Sequence, residues 1–257
     1  MIDIHSHILY DVDDGSTSIE NSIDILKKAE EAGFSEIILT PHYIERYYEN
    51  SPDVISHKVK NLKYAVYEED ILVKLHTGNE IFLTENSTEL LYGGKLSTLA
   101  NSRYILFEVP FSSKMLNLEE IMYDLIEHGY IPVLAHPERF TFIQDDPTQL
   151  IKLLKIGVLA QSNYGSFMGF YGKDAQRTAE ILLENKLIQF LSSDTHRHGQ
   201  IYENMDKILK KLESISGDEK YINELTTINP KKIIDDLDIY VEYPEELKSK
   251  KKVFFFF

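Results

Sequence analysis

The 257-residue chain contains no cysteine, which excludes disulfides, thiolate metal sites and every mechanism built on a cysteine nucleophile. No apolar run approaches the roughly 18–20 residues that a bilayer-crossing helix needs. The opening Met1-Ile2-Asp3-Ile4-His5 lacks the basic stretch and cleavage site of a signal peptide, so a cytoplasmic protein is expected. Positive charge is scarce as well: 27 Lys and Arg stand against 42 Asp and Glu, a formal net charge of −15. The one dense basic stretch is the short Lys248-Ser249-Lys250-Lys251-Lys252, so a nucleic-acid backbone is not the expected partner. Linkers rich in Pro, Gly and Ser are missing, and so are internal repeats. One domain over 1–257 is therefore expected, with the tail from about 245 peripheral. Gly172-Lys173 is not a nucleotide loop, because Phe167 stands where that motif needs glycine.

What is present is 43% apolar residues, enough for a sizeable core. Short apolar stretches at 1–5, 36–40, 71–76, 104–109, 131–135, 158–161 and 189–192 read as strands. Amphipathic helical patterns lie between them, at 18–32, 53–69, 118–128, 147–155, 173–185 and 202–215. Thr17 and Glu20 are spaced as a capping box for the first helix, and Gly33 is placed to close it. Strands alternating with helices predict parallel pairing and right-handed crossovers, hence an α/β fold. Polar residues follow nearly every strand instead of one switch point. That favours a distorted seven-stranded (β/α)7 barrel, related to the eightfold TIM barrel, over an open doubly wound sheet. Residues 80–103 read as a long excursion, helical near 85–91, and the chain ends in four phenylalanines at 254–257, suited to docking on the body or on a partner.

The strand ends carry the chemistry. The first gives His5-Ser6-His7 followed by Asp11, Asp13 and Asp14, and the second gives Thr40-Pro41-His42. The third gives Glu80 shortly after His76, and the fourth Glu108 between Phe107 and Val109. The fifth gives His136-Pro137-Glu138-Arg139, and the last Ser193-Asp194-Thr195-His196. Imidazole and carboxylate are the ligands of hard and borderline cations, and a barrel gathers such ends on one face. His5 and His7, two apart on extended chain, point to one side, as do Asp194 and His196. Blander readings hold elsewhere. His76 and His128 are expected to hydrogen-bond within the protein, His57 to be solvated on its helix, and Asp11 and Asp13 to shape a turn.

Taken in order, these motifs resemble the PHP (polymerase and histidinol phosphatase) superfamily from Met1 to about Met205. Asp3-Ile4-His5-Ser6-His7 with Asp13-Asp14-Gly15, and His136-Pro137-Glu138-Arg139, are similar to the manganese-dependent bacterial tyrosine-protein phosphatases of capsule and exopolysaccharide operons. The resemblance implies three divalent ions, manganese in the first place, with iron, zinc or magnesium compatible with the same ligands. His5, His7, Glu80 and Asp194 would hold one ion; Glu80, Glu108 and His136 a second; Asp14, His42 and His196 a third. Arg139 matches an arginine that grips phosphate. A second arginine is usual about five residues beyond the last histidine, where this chain has Ile201, and Arg197 is the candidate replacement.

The implied activity is hydrolysis of phosphotyrosine by an ion-activated water, without a covalent intermediate, with His42 or His196 able to pass a proton to the leaving phenolate. The implied partner is a phosphotyrosine protein, the tyrosine-rich tail of a cognate kinase controlling polysaccharide synthesis; an oligomer is compatible with the sequence. Three divalent ions against Asp14, Glu80, Glu108 and Asp194 would leave roughly two positive charges, suited to a phosphate dianion. A histidinol-phosphate phosphatase is the alternative substrate reading, and a metal-binding regulatory module without turnover the alternative class, favoured by Ile201 alone. Aromatics in the segment Tyr43-Ile44-Glu45-Arg46-Tyr47-Tyr48-Glu49-Asn50 border the expected site, either to stack on a phosphotyrosine ring or to cover the barrel mouth.

Overall fold

The computed structural model describes residues 1–242 together with Pro244 and Leu247; the lysine run and the phenylalanine tail expected to dock lie outside them. The described residues form ten strands: β1 (Ile2–Asp3), β2 (Glu36–Leu39), β3 (His42–Ile44), β4 (Tyr48–Glu49), β5 (Lys74–Thr77), β6 (Glu80–Phe82), β7 (Tyr104–Glu108), β8 (Ile131–Ala135), β9 (Leu159–Asn163) and β10 (Phe190–Ser192). They pair as a three-stranded sheet, β1-β2-β5, and a seven-stranded sheet, β10-β9-β8-β7-β6-β3-β4. Every pairing is parallel except the β3–β4 hairpin.

This is a mixed α/β fold with parallel sheets, but hydrogen bonding does not close it into the expected single seven-stranded barrel. The second and third expected strands, 36–40 and 71–76, correspond to β2 and β5; past Thr40-Pro41 and Gly78-Asn79 the chain resumes as β3 and β6, which neither expectation covered. Pro41 has no N–H to give to a ladder. Asn79 bridges the gap with its side-chain amide, which donates to the carbonyls of Pro41 and Asn50 at 3.1 Å each. β1 and β10 are not paired; past their ends there is a single isolated bridge, Ser6 to Thr195.

Helices Ile19–Glu31, Pro52–Glu68, Leu118–Glu127, Thr148–Ile156, Lys173–Glu184 and Met205–Ser216 lie where the periodicity places them. The first cap is one residue later than expected. Ser18, not Thr17, is the N-cap and accepts from the Asn21 amide, while the Asn21 side chain accepts from Thr17 N–H. Gly33 does end this helix, at φ +85°, a backbone region that favours glycine. The excursion holds a helix, Ser87–Tyr92, and the unforeseen β6. Two short helices beyond the last expected one, Glu219–Asn223 and Asn229–Ile234, also escaped the sequence reading.

Side chains alternate along the strands between two apolar layers. Ile2, Ile38, Tyr104, Leu106, Val133, Leu159 and Phe190 form one cluster, which Ile233 from the last helix joins. Ile105, Phe107, Leu134 and Leu191 belong to the other, together with helix residues such as Leu26, Leu62 and Leu182. Replacing Leu106, which is wholly buried, by alanine should cost about 2–5 kcal/mol. A denaturant midpoint for Leu106→Ala checks this, and an unchanged midpoint would contradict the packed inner layer.

Candidate metal centre

Beyond the inner apolar cluster the strands turn polar. Following Tyr104 and Leu106, the same side of β7 carries Glu108; following Leu159, β9 carries Gln161 and Asn163. Gln161 Oε1 meets His5 Nδ1 at 2.8 Å, and Asn163 Nδ2 donates to Asp194 Oδ2 at 2.6 Å. Two expected ligands occupy left-handed backbone that non-glycine residues seldom adopt, His136 at φ 34° and Asp194 at φ 49°. Such strain is held by the surrounding structure and clusters at functional sites.

Glu80 is the hub. Its Oε1 lies 2.9 Å from His136 Nε2 and 3.3 Å from His5 Nε2, and its Oε2 lies 3.2 Å from His7 Nε2 and 2.9 Å from His42 Nδ1. Around it Asp194 Oδ1 stands 3.5 and 3.4 Å from the Nε2 atoms of His5 and His7. Glu108 approaches His42 and His136 at 3.6 and 3.7 Å. Asp14 Oδ1 approaches His42 and His196 at 3.6 and 3.5 Å.

All nine expected ligands thus converge, in four overlapping groups whose donor atoms lie within 4.8 Å of one another. The grouping differs from the expected partition: His7 joins Asp14, His42 and His196; His136 joins His5 and Asp194; His42 joins Glu80 and Glu108. Three donors are visibly unused. His42 Nδ1, Glu80 Oε2 and His136 Nδ1 are buried without a hydrogen bond, although the first two are only 2.9 Å apart. Two acceptors as close as His42 Nδ1 and Glu80 Oε2, with no hydrogen bond between them, are what a cation resolves. With ligand bonds near 2.1 Å, neighbouring donors in an octahedral shell are about 3.0 Å apart and in a tetrahedral one about 3.4 Å. The observed spacings fit such shells.

Electrostatics agree. Burial opposes charge on His5, but Glu80 and Asp194 outweigh it and push its imidazole up to about 9. Burial likewise opposes charge on His7, and Asp13 leads the groups that hold it well above the usual value. Glu108 is pushed up to about 9 by burial, then by Glu80. Asp14 is drawn down to about 2, above all by the His196 imidazole.

Arg139 reaches the same cavity, which measures about 500 Å³. Its Nη1 donates to Asp194 Oδ2 at 3.1 Å, and its guanidinium is sandwiched by the rings of Phe111 and Tyr171 at 4.5 and 4.4 Å. Arg197 does not line the cavity: it is exposed, and its Nε donates to the Asp14 carbonyl at 2.9 Å. Ile201 is buried in the core. His76 pairs with Glu36, His128 with Asp124, and His57 is exposed, all outside the centre.

Residues behind the ligands were missed by sequence reasoning. Asp13 accepts from His7 Nδ1 and from the His42 backbone N–H, both at 2.9 Å, and so orients two expected ligands instead of merely shaping a turn. Glu138 is buried and accepts from Ser162, Ser166 and the Asn163 N–H, tying the His136 turn to β9. Gly15 lets the loop press on His7, since a Cβ there would stand 2.1 Å from the His7 carbonyl. The available signal for Gln161 and Asn163 was a strand with polar residues at alternate positions.

With this geometry in place, comparison identifies the chain's kin. The family of capsular polysaccharide synthesis proteins, CpsB/CapC, matches residues 1–235. The chain belongs to this family. Tyrosine-protein phosphatase YwqE from Bacillus subtilis is 34% identical over 256 residues, all of both chains. Tyrosine-protein phosphatase CpsB from Streptococcus pneumoniae is 29% identical, over 92% of this chain and 99% of its own. A crystal structure from work on those two proteins, described as metal-dependent tyrosine phosphatases, superposes with a TM-score of 0.90 at 33% identity, covering 97% of this chain and 100% of that one. A phosphotriesterase from Mycobacterium tuberculosis, at 12% identity and a TM-score of 0.53 over 85% of each chain, shares the fold alone.

Two outcomes follow for this CpsB/CapC chain. Charged imidazoles raised above the unfolded value near 6.5 stabilise the metal-free fold below that pH and lose this contribution as pH rises through about 9 for His5. An ion held by these imidazoles would displace those protons, so apparent affinity should climb over the same window. Calorimetry in buffers of different ionisation enthalpy should record proton release on manganese addition at pH 7, and no release would contradict the arrangement. Asp13→Asn should weaken ion binding by about 10–100-fold, read by competition with a chelating dye; unchanged affinity would refute the orienting role.

Proposed function

We propose that the chain is a metal-dependent protein-tyrosine phosphatase acting in capsular or exopolysaccharide synthesis. The observation that carries this reading is the convergence of nine residues with nitrogen and oxygen donors in a chain without cysteine, seven of them lining one cavity beside Arg139, and His5 and His7 buried behind it. The names of its relatives speak for tyrosine as the phosphorylated residue, which sets aside the histidinol-phosphate alternative. In the finer reading, His5, His7, Asp14, His42, Glu80, Glu108, His136, Asp194 and His196 hold three ions, manganese first among them. The substrate is the phosphorylated tail of a cognate tyrosine kinase, met in the cytoplasm, and residues 1–257 act as one domain. The seven strand positions, two of them broken, then form an interrupted barrel around the site.

Divalent ions held there would polarise phosphoryl oxygens and lower the pKa of a bound water from about 15.7 toward 7. The chain's own residues bind and orient. Arg139 offers a planar fork to two phosphate oxygens, a geometry lysine cannot reproduce, and Phe111 and Tyr171 hold its plane. His42 and His196 are partly exposed at the cavity edge, placed to pass a proton to the leaving oxygen. A phenol of pKa about 10 needs little such help. Arg197 serves by fastening the Asp14 carbonyl instead of touching phosphate.

Manganese-loaded protein should release phosphate from a phosphotyrosine peptide in preference to histidinol phosphate, and a chelator should stop it. His136→Ala should lower turnover by more than about a hundredfold, since even groups behind metal ligands are worth 10–100-fold, with unchanged circular dichroism. Full activity in that variant, or a preference for histidinol phosphate, would overturn the proposal.

A further inference from the structure

The cavity is divided by chemistry. One side is the polar floor of Glu80, Glu108, His136 and Asp194; the other is an apolar wall that includes Ile44, Tyr47, Tyr48, Phe82 and Phe111. The wall comes chiefly from the β3–β4 hairpin, the one antiparallel pair in the described fold, which carries Tyr47 in its turn and Tyr48 at the start of β4. Tyr48 lies parallel to the His42 ring, with centroids 6.2 Å apart and planes 10° apart. Tyr47 meets Tyr48 edge-on at 4.6 Å and is itself 74% exposed, an unusual position for a large aromatic with no partner beyond its neighbour. Phe111 completes the apolar lining, its ring 5.6 Å from that of His136 and 4.5 Å from the Arg139 guanidinium.

We propose that Tyr47, Tyr48 and Phe111 form a slot that selects aryl over alkyl phosphate esters. The inference rests on the phosphatase reading and adds to it the residues that recognise the leaving group. A phosphoryl group seated between Arg139 and the polar floor directs its ester oxygen toward the wall. An aromatic ring on that oxygen lies among Tyr47, Tyr48 and Phe111, whereas a serine or threonine Cβ ends short of them. Aromatic contacts favour offset-stacked or edge-to-face geometry beyond mere burial, and both arrangements are already present in this wall. The hairpin stands outside the candidate ligand set apart from His42, so Tyr47 and Tyr48 can be altered with the donors in place.

The test is calorimetric binding of phenylphosphonate and methylphosphonate to manganese-loaded protein, beside turnover of a phosphotyrosine peptide. Wild type should bind the phenyl compound on the order of tenfold more tightly. Tyr47→Ala/Tyr48→Ala should abolish that preference while leaving methylphosphonate affinity within about twofold, and Tyr48→Phe should keep it. In turnover the double variant should lose on the order of tenfold in kcat/KM, mainly through KM. Equal affinities in wild type, or a preference surviving in the double variant, would overturn the slot. Phenyl preference present without any peptide turnover would support the slot and sink the phosphatase reading, so the two ideas fail separately.

Discussion

The rest of the site depends on a carboxylate with no access to water. Glu80 is 1% exposed, and an isolated buried carboxylate would be costly enough to neutralise itself. Here burial raises its pKa, yet His5, His42 and His136 hold it well below the ordinary value. That works only while positive charge stays close, supplied either by protons on the imidazoles or by cations between the donors. The irregularities of the sheets follow from this requirement. The breaks at Thr40-Pro41 and Gly78-Asn79 carry His42 and Glu80 into the second sheet, where they are register partners, and opposed residues on neighbouring strands share a face. An unbroken barrel would have kept both strands in the first ladder.

How much of this was legible follows from the same physics. Apolar strands ending in His, Asp or Glu stand out, because nothing in a core needs an unpaired charge, and so His5, His7, Glu108, His136 and Asp194 could be named in advance. Strand β6 could not: Glu80-Ile81-Phe82 is too short to show a period, and its strand character comes from pairing with β3 and β7. Asp13 looked like a turn residue because it is one; its bonds to His7 and His42 exist only in three dimensions. The Thr17–Glu20 spacing was a plausible capping box, but Ser18 is equally good chemistry one residue on, and the geometry of entry decides. Short terminal helices have too few turns for a face to emerge.

Arg197 shows where proximity misleads. It follows His196 directly, yet its side chain turns outward to the Asp14 carbonyl. Ile201, at the position where an arginine was expected, is consumed by packing: a Cβ on Gly165 would lie 3.2 Å from its Cδ1. A cation there would lose its hydration inside the core. The arginine that lines the cavity among the described residues is Arg139, and the proposed grip on phosphate rests on it. Its position is secured three ways, by Asp194 and by two aromatic faces, and the cost of fixing a long side chain is already met before substrate arrives.

The net charge of −15 then takes on a different meaning. Salt screens exposed charges beyond about 8 Å at physiological ionic strength, so a bound dianion responds mainly to the groups within the cavity. Those include the carboxylates of Asp14, Glu80, Glu108 and Asp194, facing one lining arginine. Without cations such a floor repels phosphate; with them its sign reverses. In the proposed reading the cations that carry the chemistry thus also supply, beside Arg139, the attraction for the phosphoryl group. The aromatic wall is the part of the cavity free of that constraint, which is why discrimination between esters can reside there.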